Sequence, residues 1–329
     1  MPRSEKRRID RQETSTTTRS NAHGFDIRIV SIALFTILLA LTGCDQTPST
    51  ESTGAEELPT ATEENATSEE TAGHASLWPL LDKLHDHKFV DLTHAYDSNI
   101  PHWKGFPKEE RTVLYHYDEG VGTLGSGFLA HMYCHVGQWG THVDPPAHFS
   151  RGKRFQDELL VQEMILPLVV IDVVEKVENN PDYELQIADI LAWEEQYGRV
   201  PSGAFVAMKT NWSERWPSQE AMQNIDADGV AHYPGWSVES LRFLFEERDI
   251  TANGHEPTDT DPGIRTTVGD YSAEMYVLDS DHFQIELLAS LEDVPAYGAI
   301  AVVTFPKPKE GSGSPARVFA IVPEKTEAN

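Results

Sequence analysis

Between Asp45 and His74 the chain carries no lysine, arginine or aromatic residue and is built mostly from threonine, serine, glutamate and alanine. Such a stretch cannot remove enough apolar surface from water to offset the entropy of ordering it, so it reads as a disordered spacer. Only the chain beyond it must be explained by a packed core. From about Leu77 the pattern changes to tryptophans, valine-rich runs and regular Gly, Pro and Asp punctuation, over a length suited to one domain. The chain is therefore expected to divide into 1–43, a leader; 44–75, the spacer; and 76–325, the folded domain.

The leader carries Lys6, Arg7, Arg8, Arg11, Arg19 and Arg28 ahead of the apolar run "IVSIALFTILLALTGC". That run falls short of the ~20 residues a stable membrane span needs and closes on small residues before Cys44, so it reads as an export signal. "LTGC" resembles the lipobox of bacterial lipoproteins. The resemblance implies cleavage before Cys44, diacylation of its thiol, and a mature protein tethered by lipid to a membrane of the cell envelope, on its periplasmic or extracytoplasmic side. An ordinary signal anchor is the alternative. With Cys44 committed in this way, no disulfide framework is expected, and Cys134 is expected to be a small buried apolar residue. The chain sets 26 Lys and Arg against 53 Asp and Glu, a formal net charge of −27. This argues against a nucleic-acid partner, since phosphate binding relies on basic clusters.

Within the domain, "KFVDLTH", "AHMYCHVG", "LPLVVIDVV", "GAFVAMKT", "MYVLD", "AIAVVTFP" and "ARVFAIVP" are short, β-branched or aromatic, and bounded by turn residues, which predicts strands. "QIADILAWEEQYG" shows helical spacing and stops at Gly198; "SVESLRFLFEERDI" opens on Ser237, a capping residue, before an apolar face. Strands outnumber helices, which predicts a mixed α/β domain with a curved, barrel-like sheet and a few packed helices. No glycine-rich phosphate loop and no "GxSxG" nucleophile elbow occurs.

One stretch concentrates chemistry. In "QWGTHVDPPAHF", Gln138, Gly140, His142 and Asp144 alternate, which on an extended strand points all four to one face. Pro145 biases Asp144 towards extended geometry, and Pro145 with Pro146 ends regular pairing, so that His148 can turn back into the same space. An imidazole and a carboxylate on one stiff face suit a divalent cation, zinc or manganese in particular. Gly140 would leave room for a metal or substrate between the candidate ligands. Trp139 alternates to the opposite face and is expected in the core, whereas Trp103 and Phe106 could wall an apolar pocket.

"GTHVDPPAHF" also resembles the signature of the cyclase family of metal-dependent hydrolases, which includes bacterial kynurenine formamidase, isatin hydrolase and certain lactone hydrolases. "FVDLTHAYDSNIPHW", "HYPGWSVESLRFL" and "GSGSPARVFAIV" are similar to that family's opening, middle and closing segments, extending the likeness from Leu77 to Pro323. The resemblance implies a mixed β/β/α fold, a homo-oligomer, and hydrolysis of a cyclic amide, a formyl amide or a lactone, at a carbon–nitrogen bond other than a peptide bond or at an ester, with zinc or manganese. It implies metal ligands at His142 and Asp144, a ligand or proton-transfer role for His148, and a fourth acidic member at Glu286.

The sequence departs from that pattern twice. Gln138 stands where the family's motif usually opens with histidine; its amide oxygen is a poorer zinc ligand, so Gln138 is expected either to bind the metal weakly or to hydrogen-bond within the site. A later histidine expected about twelve residues before Glu286 is absent, with Glu274 in its place. His255, in "NGHEPTDTDPG" beside Glu256, Asp259 and Asp261, is the candidate substitute, against the plainer reading of an exposed loop histidine. These departures keep a second functional class open, a non-catalytic lipoprotein that binds a small molecule in the same pocket.

Overall fold

The computed structural model describes residues 75–117 and 127–324; the leader, Cys44 and most of the threonine-rich spacer lie outside them. Strands form at β1 (Lys88–Asp91), β2 (Glu110–Tyr115), β3 (Ala130–Cys134), β4 (His142–Asp144), β5 (Ile165–Asp172), β6 (Glu184–Leu185) and β7 (Phe205–Lys209). They continue through β8 (Gly235–Trp236), β9 (Ala252–His255), β10 (Phe283–Glu286), β11 (Ala299–Thr304), β12 (Ser314–Pro315) and β13 (Arg317–Val322). Nine of them make a single sheet in the order β1-β13-β11-β5-β7-β9-β10-β4-β12, curled into a half-barrel. This is the curved mixed sheet that the short, β-branched runs predict.

Two physical regimes meet in that sheet. The central strands β5, β7, β9 and β10 run parallel, so each connection must cross one face. The crossovers carry helices Val174–Asn179, Ile187–Tyr197, Gln219–Gln223, Val238–Arg242 and Ser272–Asp279. Alternation along β5 and β7 sends Val169, Ile171, Val206 and Met208 towards the helices, where Ile190, Trp193, Leu241 and Val277 meet them. Leu168, Val170, Phe205 and Ala207 point the other way, into the curl, where they join Val90, Val318, Ala320 and Ile285. The half-barrel thus closes a second core on itself.

Helix Ile187–Tyr197 ends at Gly198, as its sequence predicts, with the Gly198 N–H bonded to Glu194 O. Ser237 caps the next predicted helix by accepting from the Ser240 N–H. Two expectations fail. "MYVLD" is not a strand; it lies in helix Ser272–Asp279, because the buried Asp261 carboxylate accepts the N–H groups of Ala273 and Glu274 and fixes the first turn as helical. Cys134 is not buried, because β3 pairs only with β2 in a separate two-stranded ladder that leaves it exposed. Among the described residues no helix is long and apolar enough to cross a membrane.

Ile285 is fully enclosed in the curl, on the face of β10 opposite Gln284 and Glu286. Truncating it to alanine is expected to destabilise the domain by about 2–5 kcal/mol through lost transfer energy plus a residual cavity, read as a lowered urea midpoint. A loss under about 1 kcal/mol would contradict close packing there.

Candidate metal centre and catalytic pocket

Three strands lay out the site. On the antiparallel pair β4 and β10, Glu286 stands opposite His142 and Gln284 opposite Asp144. The parallel neighbour β9 pairs Asn253 with Gln284, and His255, next on that face, lies within 3.4 Å of Glu286. Period-two alternation puts these six polar side chains on one face, while Val143, Phe283, Ile285 and Ala252 of the same strands enter the apolar curl. The result is a polar grid on an otherwise hydrophobic sheet.

His142 lies at its centre. Its Nδ1 is 2.8 Å from the Gly140 carbonyl oxygen, so Nδ1–H donates there and Nε2 is turned towards the acids. Nε2 is 3.3 Å from Asp144 Oδ2 and 3.4 Å from Glu286 Oε2. All three residues are buried, and their ligand atoms lie within 4.8 Å of one another. Burial alone would disfavour a charged imidazole, but the flanking Asp144 and Glu286 carboxylates override it and hold His142 well above its ordinary pKa. Burial would likewise raise Asp144; His142 and His148 beside it, with hydrogen bonds from His142 and Gln138, instead bring it below the carboxylate range. Two buried carboxylates sharing one imidazole leave a deficit of positive charge. A divalent cation would supply that charge, and one nitrogen with two carboxylate oxygens is a donor set that suits one.

The opening of the motif does not form a strand. Gly140 has φ of +66°, and the space a side chain would occupy is taken by Tyr96, whose Cβ lies 3.1 Å from where a Gly140 Cβ would be. Residues 138–141 therefore bend rather than alternate, and Gly140 admits a tyrosine instead of a metal or substrate. Trp139 is in the core, fully buried, as expected. Gln138 still reaches the site, from the side. Its Nε2 is 2.7 Å from Ser312 O and 3.1 Å from Asp144 Oδ1, two acceptors that fix this end as the amide NH2. Gln138 thus donates to Asp144, and its oxygen is turned from that carboxylate. A Cβ on Gly313 would fall 2.1 Å from Gln138 Nε2, so the "GSGSP" segment packs against the motif.

His148 returns as the prolines predict, on a short helical turn at Pro146–His148. Its Nε2 lies 3.8 Å from Asp144 Oδ1 and 3.9 Å from Glu274 Oε1. Glu274 occupies the position where the sequence offers no histidine. Helix Ser272–Asp279 carries it into the pocket wall, buried, where desolvation and the nearby Glu286, Asp144, Asp259 and Asp261 push its carboxyl well above the ordinary range. Sequence reasoning misses it because the surrounding run reads as a strand. It misses Gln284 too, whose Nε2 is 3.1 Å from Glu286 Oε1 and 3.4 Å from Asp144 Oδ2, tying the two carboxylates together.

His255 is neither exposed nor in a loop. It is fully buried on β9, with Nε2 3.4 Å from Glu286 Oε1 and neither ring nitrogen in a hydrogen bond. It does not line the cavity, so its reach to the chemistry runs through Glu286. Glu256 is a structural acceptor, held by the Thr210 and Trp212 N–H groups and by the Thr210 and Ser213 hydroxyls. Asp259 accepts from Tyr233 at 2.6 Å and faces the cavity, its pKa pushed up to about 6 by desolvation and by Glu286.

Above the grid opens a cavity of about 220 Å³, floored by Gln138, His142, Asp144, Glu274 and Glu286 and walled by Trp103, Phe106, Phe149 and Tyr271. The Trp103 indole N–H donates to the Tyr271 hydroxyl at 3.1 Å, joining two sides of the mouth. A charged floor beneath apolar aromatic walls suits a small flat molecule whose polar edge points down.

Comparison with known proteins agrees with this arrangement. The Cyclase family model matches residues 90–262. Isatin hydrolase of Roseibium aggregatum is 33% identical over 248 residues, 71% of this chain and 92% of that protein. The structure of isatin hydrolase A from Labrenzia aggregata, bound to benzyl benzoate, superposes with a TM-score of 0.68 at 32% identity over 75% of this chain and 99% of that one. An isatin hydrolase bound to the product analogue thioisatinate gives a TM-score of 0.69 at 30% identity over 75% of this chain and 98% of that one. With the motif, the half-barrel and near full-length relatives in agreement, the chain belongs to the cyclase family of metal-dependent hydrolases.

Proposed function

We propose that the chain hydrolyses the ring carbon–nitrogen bond of a small aromatic cyclic amide, an isatin-like lactam, with a divalent metal, from a lipid-anchored position at the cell envelope. One observation carries the reaction class: His142, Asp144 and Glu286 converge within 4.8 Å beneath an aromatic-walled cavity. The isatin hydrolases among its relatives support the lactam as substrate class. Formyl aryl amides and lactones are the neighbouring substrate classes. With His142, Asp144, His148 and Glu286 all at the cavity, a non-catalytic binding role has no support.

Zinc or manganese held by His142, Asp144 and Glu286 would activate water and polarise the scissile carbonyl. The protein's own groups do the rest. Gln138 and Gln284 donate to the carboxylates and hold them in place. Trp103, Phe106 and Phe149 hold the ring flat and exclude bulk water. His148, partly open to the cavity, takes the proton of the attacking water, and Glu274, whose carboxyl is pushed well above the ordinary range by burial and the surrounding acids, gives its proton to the leaving nitrogen. Water oxygen ends on the carbonyl carbon, the C–N bond breaks, the second proton of that water passes to the ionised Glu274, the proton on His148 leaves to solvent, and an amine and a carboxylate remain on one molecule.

The direct test is metal analysis of the purified protein, then assays on isatin-like lactams, formyl aryl amides and lactones, with zinc or manganese added. Stoichiometric metal and fastest turnover of the lactam are expected; metal-loaded protein that turns over none of them would reject the hydrolase. His142→Ala and Asp144→Ala are each expected to lose metal and activity together. Glu274→Gln is expected to keep the metal and lower kcat by on the order of 100-fold or more, because an amide keeps the shape but cannot deliver a proton. Unchanged kcat would remove Glu274 from proton transfer. Gln138→Leu is expected to retain metal but weaken its affinity, since Asp144 loses a donor; a complete absence of bound metal would instead make Gln138 a ligand. For the anchor, Cys44→Ala should release the protein from membranes, and unchanged retention with unchanged mass would exclude lipidation.

A further inference from the structure

Four carboxylates border the cavity, Asp144, Asp259, Glu274 and Glu286, and the proposed reaction uses three of them. Asp144 and Glu286 are committed to His142 and the metal, and Glu274 to the leaving group. Asp259 has no task there, yet its place is closely built. The buried Tyr233 hydroxyl donates to its Oδ2 at 2.6 Å, and the Thr258 hydroxyl donates to the same oxygen at 3.0 Å. Two donors on one oxygen fix the plane of the carboxylate and so the direction of the other oxygen.

That other oxygen, Oδ1, accepts from no group among the described residues, and it is not one of the buried polar atoms shut away without a partner. It therefore keeps contact with open space, on a residue that borders the cavity. Burial and Glu286 raise the Asp259 carboxyl to about 6, so above that pH it is an anion and a strong acceptor. A carboxylate oxygen held in place by the protein and left without a donor is a place for a donor on the ligand. A lactam supplies one. Its ring holds the planar amide cis, so the carbonyl and the N–H leave from the same edge, and a carbonyl turned down to the metal ligands carries the N–H down beside it. A lactone puts a ring oxygen with its lone pairs at that position, which the anion repels. The N–H lies in the ring plane, whereas the proton from Glu274 arrives on the lone pair that develops out of that plane as the C–N bond breaks, so the two carboxyl groups do not compete.

We propose that Asp259 Oδ1 receives the ring N–H of the substrate, and that this contact selects N–H lactams over lactones of the same shape and over N-alkylated lactams. The inference rests on the lactam reading above and names the residue that sets the preference. Tyr233 and Thr258 act through Asp259, as the groups that aim it.

The test separates binding from turnover. Calorimetry on the full chain compares oxindole, an unactivated lactam, with 2-indanone, in which a CH2 replaces the N–H at nearly the same shape. Oxindole is expected to bind about 10- to 100-fold more tightly, the range for a hydrogen bond to a charged group. In Asp259→Asn the two hydroxyls still donate to one oxygen, so the amide NH2 takes the place of Oδ1 and meets the N–H with another donor. The preference for oxindole is then expected to vanish, while 2-indanone binds as before and metal content is unchanged. Equal affinities in the unsubstituted chain, no binding of either compound, or a preference that survives in Asp259→Asn would overturn the proposal. Should that variant fail to fold, the comparison in the unsubstituted chain still decides. Turnover gives a second readout: the ratio of kcat/KM for an isatin-like lactam to that for its lactone analogue should fall in Asp259→Asn by a similar factor, and an unchanged ratio would overturn the proposal. Oxindole preference without hydrolysis of any compound would reject the hydrolase and leave Asp259 as the N–H acceptor, so the two readings fail separately.

Discussion

Asp144 and Glu286 are held against one imidazole, in a place where water cannot screen them. Leaving two carboxylates buried with a single proton-bearing partner is costly, and the cost is met by position: antiparallel register puts Glu286 opposite His142 to the residue. A slip of one residue would turn Glu286 and Gln284 into the apolar curl and bring Phe283 and Ile285 to the metal face. Register is therefore fixed twice, by the hydrophobic interior on one face and by the charge cluster on the other. The parallel crossovers, the capping of helix Ser272–Asp279 by Asp261 and the closing segment at Ser312 all serve to bring polar groups to this face.

Much of the frame is legible in the sequence, because most of it obeys simple alternation. β5, β7, β11 and β13 are apolar, β-branched runs that fill the two cores, with Val90 of β1 added to the curl, and periodicity finds them. β9 and β10 escape that reading for the reason that makes them useful: "ANGH" and "FQIE" give half their positions to Asn253, His255, Gln284 and Glu286. The same holds for Glu274, hidden in a run whose valine and aromatic residue suggest a strand while a distant aspartate makes it a helix. His142, Asp144 and His148 are legible because they fall within one motif. Gln138 is legible as a member of the site, but its role depends on Ser312 O, far away in sequence, and no local pattern reports such a contact.

The departure at Gln138 makes physical sense within this geometry. An amide NH2 adds two donors and no charge. It satisfies the Ser312 carbonyl and one Asp144 oxygen together, and leaves the ionic balance of the floor to His142 and whatever cation sits beside it. Across the cavity Glu274 stands where the family pattern has an imidazole, its carboxyl pushed well above the ordinary range by burial and by the crowd of acids around it. Both changes reduce the number of basic groups around the cavity. A floor with fewer basic groups would depend more on a bound cation.

The pairing of the first and last strands carries a consequence for how the molecule comes into being. β1 is hydrogen-bonded to β13 across more than two hundred residues, with Val318 N–H donating to the Thr93 hydroxyl at a sequence separation of 225, and Gln138 waits on a carbonyl separated from it by 174. Long-range pairings of this kind form slowly, since loop closure must precede any reward. During synthesis the metal-binding strand is made early, yet its support arrives with the final segment. A chain released before that segment is made would carry acids and imidazoles without the frame that lets them coexist, so the site depends on the segment from Ser312 to Val322.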